Sequence, residues 1–106
     1  MKPLLEKEIQ RAILDYLRIK KVVCFKFSNQ NFTRNKKKEV IPYPGGYAGV
    51  SDIIGCLPDG RFLAVEVKRK GNMPTEAQAE FLKSVIKQGG VAIIARSIND
   101  IIKAGI

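Results

Sequence analysis

The sequence predicts an α/β domain in the order α-β-β-β-α-β-α, a mixed central sheet with helices on both faces. Three observations carry that expectation. Two stretches repeat apolar residues at helical spacing, several short runs are rich in β-branched and aromatic residues, and two of those runs are joined by Pro58-Asp59-Gly60-Arg61, strong hairpin chemistry. With 106 residues, 45% of them hydrophobic, and no linker-like segment, the chain suffices for one core and not for two, so residues 1–106 are read as a single domain.

Leu5, Ile9, Ala12, Ile13, Tyr16 and Leu17 mark one face of an amphipathic helix from Leu5 to Ile19. Val22 to Phe27 reads as a strand ending at the Ser28-Asn29 turn signal. Residues 29 to 49 break the pattern: asparagine, proline and glycine punctuate them, and Arg34, Lys36, Lys37 and Lys38 cluster there, as in a long exposed basic loop. Ile53 to Leu57 and Phe62 to Val67 then flank the hairpin turn. Pro58 and Asp59 suit the central positions of a type I turn and Gly60 the left-handed position after it. That turn sets Leu57 against Arg61 and, counting outward, Cys56 against Phe62, Ile54 against Ala64 and Asp52 against Glu66. Thr75 to Gln78 has the form of a capping box; the helix it opens repeats Ala77, Phe81, Leu82, Val85 and Ile86, and Gly89-Gly90 ends it. Val91 to Ala95 is continuously apolar, as expected for a strand buried on both faces, and a short helix follows around Ile98 to Ala104.

Nineteen Lys and Arg against ten Asp and Glu leave a formal charge of +9. Nucleic acid is the leading partner for such a balance, although anionic lipid or an acidic protein also fits it. No apolar run approaches the ~20 residues of a membrane span, and the first residues lack the pattern of a signal peptide. The expectation is therefore a soluble, intracellular, cytoplasmic protein with no membrane partner. Cys24 and Cys56 lack metal-ligand spacing and fall in strand-like runs, so they read as buried free thiols. The chain has no histidine, which removes imidazole bases, Ser-His and Cys-His nucleophile pairs and imidazole metal sites. Carboxylate, lysine and hard-metal chemistry remain.

Asp52, Glu66 and Lys68 are the residues on which such chemistry converges. Alternate residues of a strand share a face, so Glu66 and Lys68 are neighbours, and the hairpin register brings Asp52 opposite Glu66 with Cβ atoms ~5 Å apart. Two carboxylates that close repel unless a cation or a proton lies between them. Mg²⁺ or Mn²⁺ suits an all-oxygen site, with the Val67 carbonyl as a further ligand. The Lys68 ammonium could then contact an attacking water or stabilise charge on a phosphate. On residue types alone, an ordinary ion pair at a sheet rim explains Glu66 and Lys68 equally well.

Gly49-Val50-Ser51-Asp52, followed by Ala64-Val65-Glu66-Val67-Lys68, resembles the signature of the PD-(D/E)XK nuclease superfamily, and more closely its virus-type replication-repair branch, the VRR-NUC domains. That pattern has a Gly-x-x-Asp turn, a hairpin, an apolar-Glu-apolar-Lys strand and a Gln in the next helix; Gly71 and Gln78 stand where it wants them. Ser51 replaces the proline that often precedes the aspartate. The pattern also carries a Glu early in the first helix, for which Glu8 in Lys7-Glu8-Ile9-Gln10 is the best match, while helical phase puts Glu6 within the apolar wedge and Glu8 at its border.

The resemblance implies a restriction-endonuclease-like core and a catalytic set of Asp52, Glu66, Lys68, Glu8 and Gln78. It also implies Mg²⁺ or Mn²⁺ held by Asp52, Glu66, Val67 and Glu8. Its activity would be cleavage of DNA, above all branched or four-way junction DNA, by a homodimer of phage or prokaryotic nucleoid origin in DNA repair. Arg34, Lys36, Lys37, Lys38, Arg69 and Lys70 are the expected DNA contacts. Tyr43 and Tyr47 interleave with the basic stretch and either stack on bases or pack the loop. Two alternatives remain open: a flap or single-strand nuclease working with a helicase or replication partner, and a non-catalytic DNA-binding module that kept the fold.

Overall fold

The computed structural model of the chain describes residues 3–27, 32–34, 40–42 and 47–106, the two short middle stretches by their backbone. Helix α1 spans Glu6–Ile19 and buries Ile9, Ile13, Leu14 and Leu17, the stripe its periodicity predicts. Strand β1, Val23–Lys26, follows, and then two three-residue strands, β2 (Phe32–Arg34) and β3 (Val40–Pro42), pair with each other as a separate antiparallel ribbon. Sequence reading expects only a loop there. Each of these strands is too short to show an alternation, and Pro42, which has no N–H to give, sits at the end of the ribbon, where a ladder bond can be spared.

Strands β4 (Ile53–Cys56) and β5 (Phe62–Val67), helix α2 (Glu76–Lys87), strand β6 (Val91–Ala95) and helix α3 (Ile98–Lys103) complete the order. The main sheet runs β1-β4-β5-β6, antiparallel except for the β5–β6 pair, whose parallel pairing needs the crossover that α2 supplies. The hairpin register is the one the turn dictates. Cys56 pairs with Phe62 and Ile54 with Ala64, the Leu57 N–H donates to the Arg61 carbonyl at 2.9 Å, and Gly60 takes φ +90°.

One sheet face is closed by α1 and α3, with Leu63, Val65 and Val67 of β5 packed against Ile13, Leu17 and Ile101. The other carries α2, which covers β5 and β6 and leaves the β1–β4 half open. Val23 is 73% exposed and Phe25 51%. Two expectations change. Cys56, on the open half, is exposed, and Cys24 is only partly buried, although both are free thiols as expected. Strand β6 lies at the sheet edge and is half-buried through Ile94, with Ala95 alone fully covered. No helix among the described residues is long and apolar enough to cross a membrane.

Candidate active site

At the end of β5, Glu66 faces α2 and is 1% exposed, a carboxyl group on an otherwise apolar strand. Its Oε1 accepts from the Gln78 side-chain amide at 3.1 Å and lies 3.9 Å from the Lys68 ammonium. Its Oε2 is buried without a hydrogen-bond partner. Burial, and then the neighbouring charge of Asp52, push the Glu66 carboxyl up from 4.5 to about 8; a weaker push from Glu6 adds to this, and the Lys68 ammonium opposes it. The two acids therefore meet on one side of the sheet, as the register requires.

Asp52 stands where β4 leaves β5. Its carbonyl accepts from Phe27 N–H at 2.7 Å, one step beyond the β1–β4 ladder, and its Oδ2 accepts from Val67 N–H at 2.8 Å. The carboxylate thus takes the place of the backbone acceptor that a longer β4 would offer. Because the N–H and C=O of one strand residue point the same way, the Val67 carbonyl is turned to the Asp52 side also, while Lys68 N–H donates across to Ala95 of β6.

The turn before Asp52 is fixed by Gly49. Its φ is +79°, and a Cβ built there would come within 2.2 Å of the Ala77 carbonyl and 2.7 Å of Gln78 N, so only glycine lets this turn lie against the first turn of α2. Ser51, in the position where the family pattern often has proline, is fully buried, and its hydroxyl has no partner. On the helix side, the capping box forms: Thr75 Oγ1 accepts from Gln78 N–H at 3.2 Å and Gln78 Oε1 accepts from Thr75 N–H at 2.8 Å.

The first helix contributes differently from the expected Glu8. Glu8 is exposed, and its carboxylate accepts from Leu5 N–H at 2.9 Å, capping its own helix. Glu6 is the acid that reaches the cluster's edge, accepting from Arg69 N–H at 3.2 Å and the Asn72 amide at 3.3 Å. Helical phase is the signal that favours Glu6. Arg96 is a residue that sequence reasoning misses: its guanidinium donates to the Asn72 carbonyl at 2.7 Å, so the segment after Lys68 is held from α1 on one side and from the end of β6 on the other. No spacing in the sequence announces that contact.

Arg69 is half-buried and Lys70 exposed on this same segment. Lys36, Lys37, Lys38 and Tyr43 lie outside the described residues, as does the side chain of Arg34. Tyr47 packs edge-on against Phe81 of α2, ring centroids 5.6 Å apart. Among the described residues no three of His, Cys, Asp and Glu gather in one group.

An open α/β sheet with two acids and a lysine on the hairpin beside a crossover helix is a nuclease-type fold. The VRR-NUC domain model matches residues 6–99, and the chain belongs to that family. Two solved structures are similar to it. One, a VRR-NUC domain, superposes with a TM-score of 0.67 at 21% identity over 92% of this chain and 90% of its own. The other, a VRR-NUC domain protein, gives 0.62 at 24% identity over 97% and 86%. None of the curated proteins matches the chain.

Proposed function

We propose that this chain is a divalent-metal-dependent deoxyribonuclease that hydrolyses phosphodiester bonds of branched DNA, with Asp52, Glu66 and Lys68 as its catalytic residues. The observation that carries the reading is Glu66 itself. A buried acid with one oxygen lacking a partner, beside a second carboxylate, is costly in an apolar sheet unless a cation or a proton completes it, and a divalent cation would serve both carboxylates at once.

The donor set fits Mg²⁺ or Mn²⁺. Asp52 and Glu66 would supply carboxylate oxygens and Val67 its carbonyl, and Mg²⁺ is commonly bound through one or two carboxylates with water filling the remaining positions. Bound there, the ion would supply Lewis-acid stabilisation of phosphate charge and a more acidic water. Lys68 Nζ, 3.9 Å from Glu66, would hold an attacking water or the scissile phosphate by charge and hydrogen bonding. Gln78 keeps Glu66 oriented by occupying the oxygen that faces α2. Glu6, engaged with Arg69 and Asn72, positions the segment that follows Lys68.

The charge of +9 supplies attraction to a polyanion, with Arg34, Lys36, Lys37, Lys38, Arg69 and Lys70 as the phosphate contacts. Two copies related by a two-fold axis would present two such sites to opposed strands, which suits a four-way junction. The test is incubation with Mg²⁺ or Mn²⁺ and labelled duplex, flap, single-stranded and four-way DNA, with EDTA as control. Metal-dependent cutting, strongest on the branched substrate, is expected; binding without any cutting would leave a DNA-binding module that kept the fold.

A further inference from the structure

One apolar groove of about 280 Å³ opens between α2 and the start of β5, walled by the rings of Tyr47, Phe62 and Phe81 with Val85 at its base and the polar Ser84 and Gln88 at its rim. Each ring comes from an element that also supplies the site. Phe62 is on the Glu66 face of β5, four residues or about 13 Å before it. Phe81 follows Gln78 by one turn of α2, about 4.5 Å along the axis. Tyr47 is two residues before Gly49 and meets Phe81 edge-on at 5.6 Å. Phe62 and Tyr47 are 44% and 59% exposed, so ring surface is open to a ligand.

We propose that this groove is a stacking subsite for one unpaired nucleobase close to the scissile phosphate, so that the enzyme selects DNA in which a base beside the cut is free to leave the stack. The proposal rests on the nuclease reading above for where the phosphate lies. The occupant follows from chemistry and size. Aromatic faces bind bases irrespective of sequence, and a chain of net charge +9 attracts a nucleic-acid strand. The volume lies just below the usual range for ligand clefts, about 300–1,000 Å³, which suits one planar ring system and not a folded segment. The amide of Gln88 and the Ser84 hydroxyl, which already donates to the Glu80 carbonyl, leave hydrogen-bonding capacity at the rim for base edges.

The test uses single-stranded oligodeoxynucleotides carrying 2-aminopurine at successive positions, bound to the full chain in EDTA, with cut positions mapped separately in Mg²⁺. Stacking should quench fluorescence in a narrow window of positions next to the cut. Phe62→Leu and Phe81→Leu should remove the quenching and weaken binding about 5- to 100-fold, and Phe81→Tyr should restore both. An abasic site in that window should weaken wild-type binding to a similar extent. Thermal unfolding of each variant checks the fold, and Phe81→Tyr keeps the test valid if Phe81→Leu melts early. Cutting without quenching at any position overturns the stacking subsite and leaves the nuclease intact. Quenching without cutting on any substrate upholds the subsite and removes the nuclease. A change confined to sedimentation in Phe62→Leu, with quenching unaltered, would assign the groove to a contact between copies and overturn the proposal.

Discussion

Gln78 joins helix α2 to the acid cluster with a single side chain: its amide oxygen accepts from Thr75 N–H at 2.8 Å and its amide nitrogen donates to Glu66 Oε1 at 3.1 Å. The cap and the site are therefore separable by mutation. Thr75→Ala removes the cap hydroxyl and should cost about 1 kcal/mol of stability while cleavage changes little. Gln78→Ala should cost a similar amount of stability and lower cleavage or metal affinity about 10- to 100-fold, because it also frees Glu66. Chemical unfolding and cleavage rates of the two variants side by side check this.

The raised Glu66 carboxyl makes a signed prediction for the metal-free protein. The folded state holds this proton more tightly than the unfolded chain does, so the group's stabilising contribution is complete below about pH 4.5 and is lost as pH rises through about 8. At about 1.4 kcal/mol per unit, the loss is on the order of several kcal/mol. Wild-type protein in EDTA should melt progressively lower between those limits, and Glu66→Gln should lack that decline. Identical pH profiles would show that the buried acid is relieved by other means.

Gly49 is the residue that lets the Asp52 turn lie on α2. Gly49→Ala combines a positive φ with a Cβ driven into the Ala77 carbonyl, so the helix start must shift. A loss of about 2 kcal/mol or more is expected, with cleavage falling further than stability because Gln78 moves with the helix. A variant as stable and active as wild type would mean that the helix start yields easily.

Much of this architecture is legible in the sequence. A hairpin turn with a defined register forces alternate residues into pairs, so Cys56 against Phe62 and the meeting of Asp52 with Glu66 follow from counting. The capping box is legible because its two bonds are local. What is not legible depends on which elements pack where. Helix α2 covers only half of its sheet face, so Cys56 is exposed; strand β6 is at an edge; and Glu6 accepts from Arg69 and Asn72 because those residues, far along the chain, meet α1 there. The β2–β3 ribbon is hidden by its brevity.

The basic run before Asp52 makes a prediction of its own. Replacing Lys36, Lys37 and Lys38 together by Ala should weaken DNA binding and flatten its salt dependence by close to one unit of log-log slope for each phosphate no longer neutralised. A slope equal to that of wild type would reduce the run to a feature of solubility.

Calorimetric titration of Mn²⁺ into the wild-type chain, Asp52→Asn and Glu66→Gln bears most directly on the shared role of the two acids. One site in the wild type, weakened at least about tenfold by either substitution, is the predicted result. Undiminished binding in either variant would contradict it, because an ion held jointly by both carboxylates cannot be indifferent to the loss of one.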